Sequence, residues 1–374
     1  MDDLVYLSRR YGSDPNWVLA GGGNTSFKDE STLYVKASGF PLATIGPEGF
    51  ARMDRSALAK IWTSEYPEAE REREAAALAD LMAARVEGED KRPSVETLMH
   101  ELFPYPLVVH THPSLVNGIT CANDGEQAAK RLFGSRLLWV PAIEPGYILA
   151  REMQRTARRH AEETGAFPRL VLLQNHGLVI AGENATEIDA MHHEVERLIR
   201  RSLVREPDMS AVERDPSSRN RWTAAIETAF DHEVAVTFEA NAELVRRLES
   251  ADAFAPLSSA FSPDHIVYAG SAPIFVGPTP MNSAAGLRSL ITTYEHDHGS
   301  QPRIIAVEEL GVFAVAETPE ACATALALFN DEVKIAAYAE SFGGARALDD
   351  HLVKFIEGWE VEHYRKKISA GREA

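Results

Sequence analysis

The sequence predicts an α/β protein built from two domains. Short apolar runs rich in valine, isoleucine and leucine alternate with longer segments in which apolar residues recur every three to four positions. The chain has 374 residues, which is long for a single domain. The stretch 206–221 is polar, contains two prolines and shows no periodicity, so we expect a linker there between domains at 1–205 and 222–374.

Local signals place two strands and three helices in the first part of the N-terminal domain. Asp54 is a good N-cap for a helix over "RSALAKIW". A stretch rich in Ala, Glu and Arg then predicts a second helix, and a third is expected over "VETLMHELF" with Ser94 as its N-cap. The strands are expected at "TLYVK" and "YPLVVHTH", and Pro113 ends the second of them.

The rest of this domain is predicted to contain a strand, a helix, a hairpin and a final helix. The run "LLWV" is the strand, and the helix after it is closed by Gly165. Two apolar runs in "RLVLLQNHGLVIAGEN" flank a turn and predict the hairpin. The final helix covers "ATEIDAMHHEVERLIRRSLV", in which Ile188, Met191, Val195 and Leu198 form one apolar stripe.

The C-terminal domain is expected to be a second, smaller α/β unit. Strands are predicted at "SPDHIVYAG" and "APIFVG", followed from residue 302 by strand, turn, strand and helix. This last segment echoes the predicted hairpin and helix of the first domain when the two are aligned on Gly177 and Gly311. Leu310 stands where the first copy has His176, so we expect a metal-binding imidazole in the N-terminal domain alone.

Charge and composition exclude several classes of function. The chain has 56 acidic and 38 basic residues, a net charge of −18, which argues against nucleic acid or an anionic membrane as a partner. Its two cysteines lie far apart and indicate neither a disulfide framework nor a thiolate zinc site. The N-terminus lacks the apolar core of a signal peptide, and no apolar run approaches the length of a membrane span. We therefore expect a reduced, cytoplasmic compartment.

Three histidines predict a metal site. Alternate residues of a strand face the same way, so His110 and His112 present two imidazoles on one face. His176 lies in the turn of the predicted hairpin and is the candidate third ligand. Three imidazole nitrogens with an open fourth position are typical of catalytic metal sites. The alternative is that hydrogen bonds at loop ends satisfy these rings, and the rival metal pair is His296 and His298, expected in a polar loop.

Two further features accompany the histidines. Glu96 lies in the first turn of the predicted third helix, just before the histidine strand. It is either a carboxylate placed to move a proton near the metal or an acidic residue favoured by the helix N-terminus. The stretch "GGGNTS", residues 21–26, allows the backbone to approach a ligand closely and offers N–H and hydroxyl donors, although it is not a nucleotide-binding pattern.

Taken in order, "GGGNTS", "VKASG", "PSVE", "VVHTHP" and "LLQNHGLVIAGENATEIDAMHHEVE" resemble the class II aldolase/adducin family. The resemblance covers about the first 205 residues, and the rest looks like the segment that follows the aldolase portion of fused rhamnulose-phosphate aldolase/alcohol dehydrogenases. It implies an α/β/α sandwich around a mostly antiparallel sheet, assembled as a homo-oligomer, commonly a tetramer. No dinucleotide fingerprint appears, so a dehydrogenase domain is not expected in these 374 residues.

The resemblance also implies roles for single residues. His110, His112 and His176 match the zinc ligands of the family, and Glu96 matches its acid/base carboxylate. The residues that match positions lining the substrate phosphate are Asn24, Ser38, Gly39 and Ser94. The fuculose-phosphate enzyme has a second serine where this chain has Val95, so one hydroxyl donor is absent. Lys36 and Lys28 are candidates for compensating positive charge.

The leading hypothesis is therefore an aldolase dependent on Zn²⁺ or another divalent metal. Its substrate would be a small-molecule sugar phosphate, a ketose 1-phosphate of the rhamnulose or fuculose type. Cleavage of that sugar yields dihydroxyacetone phosphate and an aldehyde. Epimerases and sugar-acid phosphate decarboxylases on the same scaffold are the alternatives, as is a non-catalytic adducin-like interaction module.

Overall fold

The computed structural model describes residues 1–277 and 284–359, so residues 278–283 and 360–374 of the predicted C-terminal domain lie outside the described part. The chain divides into two compact units. The first comprises Met1–Thr120 and Gly125–Ser202, and most of the second is Leu203–Gly358. Within the described residues no helix is both long and apolar enough to cross a membrane.

The first unit contains a seven-stranded sheet in the order β3-β2-β1-β4-β7-β6-β5. Every pair of neighbouring strands is antiparallel except β5 and β6. The strands are β1 (Asn24–Lys28), β2 (Thr32–Lys36), β3 (Phe50–Asp54), β4 (Leu107–Thr111), β5 (Leu137–Val140), β6 (Leu170–Leu173) and β7 (Gly177–Gly182).

Helices cover both faces of this sheet and give the expected α/β/α sandwich. On one face, Val108 and Val179 pack against Met153 and the residues around it, while β2 and β3 pack against three further helices. The other face is covered by the first and last helices of the unit together with one short helix. The helices are α1 (Asp2–Gly12), α2 (Arg55–Ile61), α3 (Glu70–Ala83), α4 (Thr97–Leu102), α5 (Ser114–Thr120), α6 (Gly125–Phe133), α7 (Tyr147–Thr164) and α8 (Ala185–Arg200).

The expected helix ends in this unit are mostly confirmed. The Asp54 side chain accepts hydrogen bonds from the N–H groups of Ser56 and Ala57 and caps α2, and Gly165 closes α7 with a φ of 79°. The helix expected after Ser94 is present as α4, but the prediction of Ser94 as its N-cap was wrong, because α4 begins at Thr97 and Ser94 lies before the N-cap position. Ser94 instead stabilises the turn that leads into α4, with its hydroxyl accepting a hydrogen bond from the N–H of Glu96.

The second unit has a four-stranded sheet in the order β8-β11-β10-β9. Its strands are β8 (Ala235–Glu239), β9 (Ile274–Val276), β10 (Ile304–Val307) and β11 (Gly311–Ala316). Its helices are α9 (Pro216–Ala229), α10 (Ala242–Arg247), α11 (Ala251–Phe254), α12 (Pro263–Tyr268), α13 (Ala284–His298), α14 (Pro319–Ala339) and α15 (Asp350–Glu357).

Three predictions in this region were wrong, two of them because residues that signal a loop also start helices. Residues 216–221, expected in the linker, form the first turns of α9, because Asp215 caps it and Pro216 takes its first position. The segment "SPDHIVYAG" forms helix α12 and not a strand, with Pro263 again at the helix start. His296 and His298 lie in the last turn of α13 and not in a loop.

The second sheet repeats the β4-β7-β6-β5 half of the first. Strands β9 and β10 are parallel and β10 and β11 antiparallel, as are β5–β6 and β6–β7. Both hairpin turns contain a residue with positive φ, Asn175 at 54° and Glu309 at 58°. His110 lies opposite Val179 in the first sheet, and Phe238 lies opposite Phe313 in the second. The positions of His110, His112 and His176 are therefore taken by Phe238, Ala240 and Leu310 in the second unit.

Candidate metal centre

The centre forms where the end of β4 meets the turn between β6 and β7. His110 lies in β4, His112 follows one residue after its end, and His176 is the last residue of the turn. Gly177 permits this close approach, because a Cβ there would lie 2.5 Å from the carbonyl oxygen of Thr111 and 2.8 Å from the His112 ring. The hairpin thus brings the third imidazole to the strand that carries the other two.

The three imidazoles point their Nε2 atoms at one another. The Nε2 atoms of His110 and His112 lie 2.9 Å apart, and those of His110 and His176 lie 3.3 Å apart. A zinc ion with nitrogen ligands at about 2.0–2.1 Å in a tetrahedron separates those nitrogens by about 3.3 Å. The spacing therefore fits one divalent ion held by the three rings, and the role of the rings as ligands stays a prediction.

A hydrogen bond on the far side of the His110 ring also favours a metal-binding role for this residue. His110 is fully buried, and its Nδ1 lies 3.0 Å from the carbonyl oxygen of Leu178. A carbonyl only accepts, so Nδ1 carries the proton and Nε2 presents its lone pair to the centre. Metal-binding histidines are usually oriented by such an outer hydrogen bond.

Glu96 completes the centre with a carboxylate. Its Oε1 lies 3.5 Å from Nε2 of His110 and 3.3 Å from Nε2 of His176, and this buried oxygen has no hydrogen-bond partner among the described residues. Its Oε2 accepts a hydrogen bond of 2.6 Å from Nδ2 of Asn24. Burial opposes ionisation, but positive charge at the three imidazoles and the Asn24 donor lower the Glu96 pKa to about 2. An orphaned anionic oxygen facing three nitrogen donors fits a cation between them.

The residues expected around a substrate phosphate lie beside this centre. Asn24 donates a second hydrogen bond, of 3.2 Å, to Oγ of Ser94. The backbone of residues 36–38 runs along residues 92–94, since Ser94 N–H donates to the Lys36 carbonyl and Ser38 N–H to the Arg92 carbonyl. Gly39 has a φ of 89°, which favours glycine at this turn. The structure places the backbones of Lys36, Ser38 and Ser94 together, and their contact with a phosphate stays a prediction.

His100, which lies one helical turn after Glu96, is a site residue that the sequence pattern did not indicate. It is fully buried, its Nδ1 lies 2.8 Å from Oγ of Ser26, and its Nε2 contacts Oδ1 of Asn24. Burial and the nearby His110 lower its pKa to about 3, so the ring is neutral. The i, i+4 spacing of Glu96 and His100, which places both on one face of a helix, is the signal that could have revealed it.

The rival histidine pair does not converge on a metal. His296 and His298 are two residues apart on α13, so their side chains leave the helix about 200° apart. His296 is paired with Asp297, and Nδ1 of His298 lies 3.0 Å from Oγ of Ser271. The expectation of a possible second site at this pair therefore has no geometric support.

Comparison with known proteins finds, for the N-terminal unit, the same family that its sequence motifs resemble. The model of the class II aldolase and adducin N-terminal domain matches residues 2–203. An uncharacterized oxidoreductase, YuxG of Bacillus subtilis (strain 168), is 24% identical over 99% of this chain, which spans 58% of the length of that protein.

Two solved structures show a likeness to about half of the chain. The N-terminal class II aldolase domain of a conserved Thermoplasma acidophilum protein is 30% identical and covers 54% of this chain and 92% of its own, with a TM-score of 0.45. An L-fuculose-1-phosphate aldolase from Thermus thermophilus is 17% identical and covers 54% of this chain and 94% of its own, with a TM-score of 0.34. Because the family model matches more than half of its 374 residues, the chain belongs to the class II aldolase and adducin family.

Proposed function

We propose that the protein is a metal-dependent aldolase that cleaves a ketose 1-phosphate to dihydroxyacetone phosphate and an aldehyde. The observation that carries the proposal is the convergence of three Nε2 atoms with the unpartnered Oε1 of Glu96. His110, His112 and His176 would hold the ion. A divalent ion bound there supplies Lewis acidity, which stabilises the negative charge that develops on the substrate oxygens as the carbon–carbon bond breaks.

The chain supplies the proton transfer that this cleavage needs. When the bond breaks, the hydroxyl group that becomes the aldehyde carbonyl loses a proton, and the carbon that remains in dihydroxyacetone phosphate gains one, so the protons balance overall. Oε2 of Glu96 is occupied by the Asn24 amide, so Oε1 is the oxygen that carries and delivers this proton. In the reverse, carbon–carbon bond-forming direction the same oxygen accepts the proton.

A non-catalytic interaction module would explain this arrangement less well. A buried carboxylate oxygen without a hydrogen bond lowers stability unless something else at the site compensates for it. An adducin-like module gains nothing from such a group, whereas a metal-assisted acid or base requires it. Epimerase and decarboxylase chemistry would use the same groups, so product analysis must separate these alternatives.

The test uses the purified full-length chain. Metal content is measured first, and the zinc-loaded protein is then given ketose 1-phosphates, their unphosphorylated sugars and sugar-acid phosphates. Release of dihydroxyacetone phosphate from a ketose 1-phosphate supports the proposal. Comparison with the unphosphorylated sugar measures the preference for phosphate, which the absence of a hydroxyl at Val95 is expected to weaken. Epimerised sugar or carbon dioxide would assign the protein to the alternatives. A stoichiometrically metal-loaded protein that changes no substrate would refute an enzymatic role.

We also infer a homo-oligomer, commonly a tetramer in this family. Sedimentation or light scattering at micromolar concentration measures the mass directly. A chain mass of 41.2 kDa at every concentration would contradict this inference.

A further inference from the structure

Strand β1 carries three buried polar side chains at alternate positions, which we name the β1 polar stripe: Asn24, Ser26 and Lys28. Their exposures are 5%, 0% and 6%. Buried polar groups lower stability unless they are hydrogen-bonded, so such a stripe is a costly way to fill the space beneath a helix. All three side chains contact α4 or the turn before it.

Lys28, the last residue of the β1 polar stripe, fixes the C-terminal end of α4. The Lys28 ammonium donates hydrogen bonds of 2.6 Å to the carbonyl oxygen of His100 and 2.7 Å to that of Phe103. Cations at a helix C-terminus are favourable because the last carbonyls lack partners within the helix. A helix of six residues needs such tertiary contacts, and no side chain caps its N-terminus.

Asn24 and Ser26, the other two residues of the β1 polar stripe, take part in a chain of hydrogen bonds in which each donor and acceptor can be assigned. Nδ2 of Asn24 donates to Oε2 of Glu96 and to Oγ of Ser94, so both of its N–H bonds are used on that side. Oδ1 of Asn24 therefore faces His100, and a carbonyl oxygen needs a donor, so Nε2 of His100 carries the ring proton. Nδ1 is then an acceptor, and the Ser26 hydroxyl donates to it.

We propose that His100 is a positioning residue for Glu96. Its Nε2–H holds the Asn24 amide in one of its two orientations, with the nitrogen toward the carboxylate. That donor fixes Oε2 and leaves Oε1 facing the three imidazoles. The inference rests on the proposed function only for the proton-transfer role of Glu96, since the hydrogen-bond order follows from the geometry alone.

Removing the His100 donor should loosen the fixed orientations of the Asn24 amide and the Glu96 carboxylate. Without it, Oδ1 of Asn24 loses its donor, and only the bonds from Nδ2 to Glu96 and Ser94 still favour the present orientation, so the amide is held less firmly and can rotate by 180°. Its Oδ1 would then face Oε2 of Glu96, two acceptors in contact, and the carboxylate would turn away. A glutamine at position 100 can place its amide nitrogen near the position of the histidine Nε2 and restore the donor, whereas leucine cannot.

The experiment compares His100→Leu with His100→Gln in the full-length protein. The matched control is His192→Leu, because His192 is also buried and neutral, and among the described residues its one hydrogen bond is to the carbonyl of Ile188 within α8. In the wild-type protein, ¹⁵N-histidine NMR should show the Nε2–H tautomer for His100, identified by the signal lost in His100→Gln. This readout needs neither metal nor substrate.

We expect His100→Leu to lower kcat by about 10–100-fold, the usual effect of losing a partner that orients an active-site group, with little change in KM or metal content. His100→Gln should stay within about threefold of wild type, and His192→Leu should lose stability without losing kcat. If the panel of sugars shows no turnover, the visible spectrum of cobalt-loaded protein replaces kcat. It should change in His100→Leu and not in His100→Gln.

Each contrary result would overturn the proposal. An Nδ1–H tautomer for His100 would refute the assigned hydrogen-bond order. Equal loss in the leucine and glutamine variants, or no loss in either, would show that the His100 donor does not position Glu96. If His100→Leu fails to fold, the tautomer and the His100→Gln variant still decide the question. Failure of the proposed function would appear separately, as a correct tautomer in a protein that turns over no substrate.

Discussion

Replacing His176 with leucine should abolish tight metal binding and leave the fold intact. The second unit already shows this residue in the same place: Leu310 occupies a hairpin turn of equal length, and each turn places a positive-φ residue immediately before it. His176→Leu removes the nitrogen that lies 3.3 Å from Nε2 of His110 and leaves two imidazoles and a carboxylate. The hairpin itself has no need of the imidazole.

The expected loss of zinc affinity is at least about 100-fold. Losing an outer partner of a metal ligand typically costs 10–100-fold, so losing a ligand itself should exceed that range, about 2.7 kcal/mol or more. Competition with a chromophoric zinc chelator measures the affinity, and circular dichroism checks the fold. His193→Leu is the control, because His193 is exposed on α8 of the same unit. Wild-type zinc affinity and stoichiometry in a folded His176→Leu protein would refute the three-histidine site.

Three further outcomes follow from the same structure. Glu96→Gln should keep its metal content and lose about 10²–10⁴-fold in turnover; near-full turnover would assign Glu96 to a structural role. Burial lowers the His192 pKa to about 4, so the free energy of unfolding should fall by about 3 kcal/mol between pH 6.5 and 4 through this group. The slope should flatten in His192→Leu, and an unchanged acid denaturation profile would contradict this. Burial raises the Glu332 pKa to about 8 against the opposing effect of His265, so its stabilising neutral form is lost as pH rises from 4.5 through 8. Glu332→Gln should therefore gain more stability over wild type at pH 8 than at pH 5, by up to about 4 kcal/mol. Equal gains in chemical denaturation at both pH values would refute it.

The sequence was most informative where local backbone geometry alone determines where a side chain points. His110 and His112 could be placed on one face because strand periodicity is fixed, and the QNHG turn between two apolar runs indicated the position of His176. Glu96 was found, but the start of its helix was not, since Ser94 supports a preceding turn and not the helix itself.

The parts that could not be predicted depend on contacts between distant segments. The role of His100 requires knowing that β1 lies under α4, which no local pattern reveals. The misassigned α12 shows a different limit. Its short run of Ile266, Val267 and Tyr268 suits a strand by propensity, but the serine and proline before it begin a helix.

The repeated half-sheet separates what folds this chain from what makes it reactive. In the second unit the same arrangement of four strands and a hairpin forms with Phe238, Ala240 and Leu310, so this architecture does not require the imidazoles. Installing histidines at those three positions would create a place for an ion but no acid beside it. The described part of that sheet begins at β8, without counterparts of β1–β3. Under the proposed function, strand β1, whose Asn24 positions the Glu96 carboxylate, would therefore distinguish a catalytic centre from a site that only binds a cation.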